Sequence, residues 1–158
     1  MLKGIDKLLN LCTDFINEID DFADVQLDPE FFCYPTTNEI FISVVASQNA
    51  IQEFMETLLE RTDIRDINEF TWSLLHEVGH CETWRIMNKR TTNHCKNVKR
   101  KIVQGKQPTR NYYYLTDERI ATNWAIDFVE NNYDFVKKFD KKVLKILEKF
   151  IIDNDIEM

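Results

Sequence analysis

The sequence predicts a mainly helical α+β fold in which a short, small β-sheet precedes the central helix. Three observations carry that reading. Five stretches place apolar residues at three- and four-residue spacing, the period of helices buried along one side. One run, Glu39-Ile40-Phe41-Ile42-Ser43-Val44-Val45, has the β-branched and aromatic content of a strand. Glycine and proline number only three each, with 44% of residues apolar and 30% charged, the balance of an ordered helical domain. At 158 residues, without internal repeat or shift in composition, the chain reads as a single domain over residues 1–158.

In chain order, Ile5, Leu8, Leu9, Cys12, Phe15, Ile16 and Ile19 form the stripe of a first helix over residues 4–22. Asp28-Pro29 and Tyr34-Pro35 punctuate the next stretch, leaving short extended pieces near Val25–Leu27 and Phe31–Tyr34 before the strand at 39–45. Residues 47–61 read as a helix with Ile51, Phe54, Met55, Leu58 and Leu59 on one side. A third helix runs from about Asp66 to about Met87, with Ile67, Phe70, Leu74, Val78 and Trp84 facing inward. Gly79 inside it marks close approach by another backbone or by a substrate. Residues 88–110 are polar with few helix or strand signals, and read as a long, mobile connection. Thr116 is then placed as N-cap of a helix from Asp117 to about Asn131, and a last helix covers about Tyr133 to Ile152.

The third helix carries the chemistry. His76-Glu77-Val78-Gly79-His80 has the form H-E-x-x-H, and two of the three histidines of the chain fall in it. Residues four apart share a helix face, so His76 and His80 can chelate one metal ion. Glu77 lies one position round, where its carboxylate can reach a metal-bound water without being a ligand. Phe70, Leu74, Leu75 and Val78 frame the pair, as in a helix buried around most of its circumference.

A catalytic zinc site has three protein ligands and an open position for water. The metzincin continuation would need Gly and His where this chain has Thr83 and Ile86, which excludes that class. Glu118 is the best third ligand: it opens a helix whose small residues Ala121 and Ala125 let it press closely on the motif helix. The competing reading is a carboxylate that only favours a helix N-terminus. His94, with Cys95 beside it, is the next ligand source. Glu82 lies on another face, Asp117 points away when Glu118 points inward, and Cys81 points about 100° from His80.

H-E-V-G-H followed by E-R-I-A-x-x-W-A resembles the gluzincin metallopeptidases, most closely the small ImmA/IrrE-type proteins of bacteria, phages and mobile elements. The resemblance covers roughly residues 35–130. It implies a zincin-like core, one zinc ion per chain held by His76, His80 and Glu118, and Glu77 as catalytic base. Many gluzincins place an Asp four residues after the glutamate ligand to brace a zinc-bound His. Thr122 stands there in this chain, leaving Asn123 or Asp117 as substitutes.

The chemistry expected is hydrolysis of peptide bonds of an intracellular protein by Glu77-assisted attack of zinc-bound water, most simply as an endopeptidase. Tyr112, Tyr113, Tyr114, Arg110 and His94 are the candidates for stabilising the oxyanion. The strand at 39–45 either receives an extended substrate at an exposed edge or is covered on both sides. The alternative function is a zinc-binding but catalytically idle domain used for protein recognition. Against it stands the intact base. A third reading, a helical regulatory protein with an accidental motif, has least behind it.

A formal charge of −7 argues against a general nucleic-acid binder. One basic stretch stands out: Lys89, Arg90, Lys96, Lys99, Arg100, Lys101, Lys106 and Arg110. It reads either as a solvated face or as a patch for an acidic peptide substrate or partner protein. Cys12, Cys33, Cys81 and Cys95 form no C-x-x-C pair and read as free, partly buried thiols. No window suits a membrane span, and acidic residues come too early for a secretory leader, so a cytoplasmic protein is expected.

Overall fold

The computed structural model describes residues 3–20, 24–44 and 48–155. Within them, six α-helices and a three-stranded sheet follow in the order α1 Ile5–Ile19, β1 Asp24–Leu27, β2 Phe32–Tyr34, β3 Glu39–Ile42, α2 Gln48–Leu59, α3 Glu69–Thr83, α4 Lys89–Val103, α5 Thr116–Asn131 and α6 Tyr133–Asp153. Short 3-10 segments at Trp84–Ile86 and Thr109–Tyr114 follow α3 and α4. The architecture is therefore the expected mainly helical α+β arrangement, with the sheet ahead of the motif helix. Among the described residues no helix is long and apolar enough to cross a membrane. Parts of three expected elements (residues 21 and 22 of the first helix, 45 of the strand and 47 of the next helix) lie outside the described residues.

β3 is the central strand. It pairs in parallel with β1 (Val25 opposite Ile40, Leu27 opposite Ile42) and antiparallel with β2 (Phe32 opposite Phe41, Tyr34 opposite Glu39). Alternation sets its two faces. Ile40 and Ile42 are fully buried in the core, while Phe41 stacks on Phe32 on the other side with ring centroids 4.2 Å apart. Both hydrogen-bonding edges of β3 are thus occupied, so it cannot take an added substrate strand. The strand bordering α3 is β2, at the edge of the sheet.

α3 is buried from Phe70 to Gly79 without interruption. Asn68 starts it: its side-chain oxygen accepts from the Phe70 N–H at 2.8 Å, satisfying one of the free donors of the first turn. Its far end differs from expectation. Thr83 Oγ1 donates to the Gly79 carbonyl at 2.6 Å, and the chain tightens into a 3-10 turn at Trp84–Ile86. Trp84 is consequently exposed instead of facing inward. α6 packs on α1, where Phe15 stacks on Phe139 with centroids 3.9 Å apart.

The largest departure is at residues 88–110. In place of a mobile connection stands α4, fifteen residues long and followed by the Thr109–Tyr114 turn. Asn88 caps it by accepting from the Thr91 N–H at 2.8 Å, and Gly105, at φ 73°, ends it in the left-handed conformation that glycine adopts without a Cβ clash. Its apolar stripe is short (Cys95, Val98 and Ile102), and a polar composition hid it. The Thr116 cap is also corrected. Leu115, buried between the 3-10 turn and α5, holds the N-cap position, and Thr116 is the first helical residue.

Candidate metal centre

α3 and α5 form the most extensive helix pair in the fold, and Gly79 is the reason they come so close. A Cβ at Gly79 would sit 2.5 Å from the Ala121 carbonyl oxygen, so only glycine fits that crossing. Of the two alternatives the sequence leaves for Gly79, backbone approach is the one realised. Ala121, Thr122 and Ala125, all fully buried, complete the small-residue face of α5. The crossing carries Glu118, one turn before Ala121, to the histidines one turn along α3.

Glu118 is 1% exposed and its two oxygens divide between the two rings. Oε1 lies 3.1 Å from His76 Nε2, and Oε2 lies 2.8 Å from His80 Nε2. The ligand atoms of the three residues lie within 4.8 Å of one another, so the group could hold a metal ion. Donor atoms around a tetrahedral zinc, at ~2.0–2.2 Å each, stand about 3.3 Å apart, close to the 3.1 and 2.8 Å between the two imidazoles and the carboxylate. The donor chemistry also fits: two imidazoles and a carboxylate at the floor of a cleft, with the opposite side open.

The position of Thr122 answers the question left by the missing Asp. Its Oγ1 is 3.0 Å from His76 Nδ1, so the threonine itself orients the ring from behind. Neither substitute serves: Asn123 accepts from Arg61 at 3.2 Å, and Asp117 turns to Lys99. Phe54 abuts the His76 ring edge-on, with centroids 4.9 Å apart.

Electrostatically the site is a dense knot. Burial opposes ionisation of Glu118, yet His80 and His76 hold its carboxyl well below the usual range. Burial likewise disfavours a charged His80, but the Glu118 carboxylate outweighs it and raises the imidazole to about 9. Lys99, missed as a site residue in the sequence, donates from α4 to Asp117 Oδ2 at 2.6 Å and to Glu118 Oε2 at 2.9 Å. Burial works against its charge, and the anions around it, Glu118 first, push its pKa up. No local pattern announces Lys99, because eighteen residues of chain separate it from Asp117.

Glu77 is 8% exposed and lines two cavities that meet at the site. The smaller, about 110 Å³, is bounded by Phe31, Ile51, Phe54, Ser73 and Tyr113. The larger, about 730 Å³, runs between β2 and α4 past Phe32, Pro35, Trp84 and Met87. The Cys33 thiol from β2 meets the Cys81 thiol and the Glu77 carboxylate, and is pushed far up by these contacts and by burial. Of the oxyanion candidates, Tyr112 and Tyr113 line the cavities, with burial and then Glu118 raising both phenols. Tyr114 is exposed and donates to Glu60, while Arg110 and His94 are exposed and border neither cavity. His94 is thus also set apart from the metal-ligating group, as are Cys95, Glu82 and Cys81.

No family model, no curated protein and no solved structure matches this chain, so the reading of the site rests on its own residues.

Proposed function

We propose that this protein is a zinc-dependent metallopeptidase of the gluzincin type, an endopeptidase acting on an intracellular protein and similar to ImmA/IrrE-type proteins. One observation carries the reading. His76, His80 and Glu118 converge from two helices at the floor of a cleft, with the Glu77 carboxylate beside them and not among them.

In this reading His76 and His80 bind through Nε2 and Glu118 through its carboxylate, while Thr122 fixes the His76 ring. Bound zinc supplies a Lewis acid that makes water acidic near neutrality and polarises a peptide carbonyl. Glu77 takes the proton of the attacking water and passes it to the leaving amide nitrogen. Tyr112 and Tyr113 keep their phenolic protons at neutral pH and can donate them in hydrogen bonds to a developing oxyanion. Lys99 donates to Glu118 Oε2, the oxygen that also meets His80, and so restrains rotation of the carboxylate. Apolar side chains around the smaller cavity suit an apolar residue of the substrate.

Metal analysis and proteolysis test this together. Purified without chelator, the protein should contain about one zinc per chain. Iron in its place would redirect the reading, since two histidines and a carboxylate also suit ferrous oxygenases. Glu77→Gln should keep the metal and lose proteolysis by a factor of about 100 or more. Retained zinc with no proteolysis in either protein would favour the idle recognition domain.

A further inference from the structure

Among the described elements α4 is the most basic, and unlike α6 its lysines and arginines have no acidic residue beside them on the helix. It carries Lys89, Arg90, Lys96, Lys99, Arg100 and Lys101 and no acidic residue, in a protein of formal charge −7. Its placement gives that charge a direction. Lys89, Thr92, Asn93, Lys96 and Lys99 lie at helical spacing on one face, and that face is a wall of the larger cavity. Lys99 is spent on Asp117 and Glu118 at the floor. Among the described residues Lys89 and Lys96 have no ion pair. Arg85 joins them from the 3-10 turn, its guanidinium 5.2 Å from the centre of the exposed Trp84 ring.

We infer that this wall selects polypeptide segments bearing acidic side chains close to the bond presented to Glu77, with Lys89 and Lys96 as the specificity-determining residues. The inference rests on the peptidase reading and names its substrate class. The two lysines are seven residues apart, a rise of about 10 Å on a helix. A peptide in the polyproline II conformation covers that in about three residues at ~3.1 Å each, and its three residues per turn bring side chains three apart to the same side. The matching substrate therefore carries two carboxylates about three residues apart, running along α4. A cleft between low-dielectric walls concentrates such a segment, and salt weakens the effect.

Two assays with defined probes test it. The first is fluorescence anisotropy of labelled (Glu-Ala-Ala)4 and (Gln-Ala-Ala)4 peptides on zinc-loaded Glu77→Gln protein, with and without the added pair Lys89→Gln and Lys96→Gln. The acidic peptide should bind at least tenfold tighter than the neutral one, and the pair should remove most of that difference without changing the melting temperature. The second is cleavage of a proteome-derived peptide library by wild-type and Lys89→Gln/Lys96→Gln proteins, sites read by mass spectrometry. Acidic residues should be enriched near wild-type cleavage sites and fall to background in the variant. Equal binding of the two peptides, or cleavage with no acidic enrichment, overturns the charge rule while leaving the peptidase intact. Tenfold preference for the acidic peptide with no cleavage above that of Glu77→Gln overturns the peptidase reading instead.

Discussion

Asp140 and Glu118 are each 1% exposed and each presses its carboxylate against α3, yet their surroundings differ in kind. Asp140, on α6, receives the Asn68 N–H at 3.0 Å and the Thr71 hydroxyl at 2.6 Å at the start of α3. Both hydrogen-bond donors are neutral and already aimed at one oxygen, with the Lys137 ammonium 3.9 Å from the other, and the carboxylate anchors two helices. Glu118, near the other end of α3, faces two imidazoles and an ammonium. An imidazole nitrogen has a lone pair of its own, and it can satisfy this carboxylate only by carrying a proton. The proton on His80 therefore stands where a metal ion would bind. Buried carboxylates are common as anchors; one facing two imidazoles has the donor set that could hold a metal ion.

Removing each carboxylate in turn is the strongest test of that contrast. Glu118→Ala should reduce zinc affinity by more than about 100-fold, since one of three ligands is gone. Asp140→Ala should leave one zinc per chain but cost roughly 2–4 kcal/mol of stability, because it strands two buried donors at the N-terminus of α3. Chelator competition and denaturant unfolding of both variants read the two effects. Zinc lost from Asp140→Ala in a still-folded protein would erase the distinction.

A smaller effect sharpens the site's side of the comparison. Thr122→Val keeps the shape of the side chain but removes the oxygen behind His76 Nδ1. Zinc affinity should fall about 10- to 100-fold, the usual consequence of losing a group that orients a ligand, and Thr122→Ser should recover most of it. Equal affinities in wild-type and Thr122→Val proteins would show that the hydrogen bond positions nothing.

The mildest expectation concerns pH. With Glu118 raising the His80 imidazole from 6.5 to about 9, zinc must displace a proton at neutral pH. Affinity should rise about tenfold per pH unit up to roughly pH 9, with one proton released per ion. In the metal-free protein the same pair gives stability that is fully present below about 6.5 and lost as pH rises through about 9, because the folded-state pKa is the higher one. Melting curves between pH 6 and 10 should show that slope in wild-type and Asp140→Ala proteins and lose it in Glu118→Ala.

Short-range periodicity makes much of this molecule legible in the amino-acid sequence. A stripe such as Leu8, Cys12, Phe15 and Ile16 can be buried only as one helix face, so α1, and α2, α3, α5 and α6 by the same argument, follow from local pattern. His76 and His80 are likewise local: four residues on a helix bring them to one face, and a glycine three positions beyond the first predicts the close neighbour that Ala121 proves to be. α4 is partly legible through Asn88 and Gly105, but too few apolar residues lie between them for periodicity to reveal it.

Other features depend on contacts between distant segments, and no local pattern encodes those. That β3 is central and β2 the edge depends on which strands meet. That Thr122 serves His76 depends on the rotation of α5 about its axis at the Gly79 crossing. That Lys99 grips Glu118, and that a basic helix walls the cleft, depends on α4 folding back over α5. What the sequence by itself determined is the helices and the face of α3 that carries His76 and His80, because those follow from spacing along one helix. Only the tertiary structure decided what surrounds that face, because side chains 18, 42 and 46 residues apart meet there through packing alone.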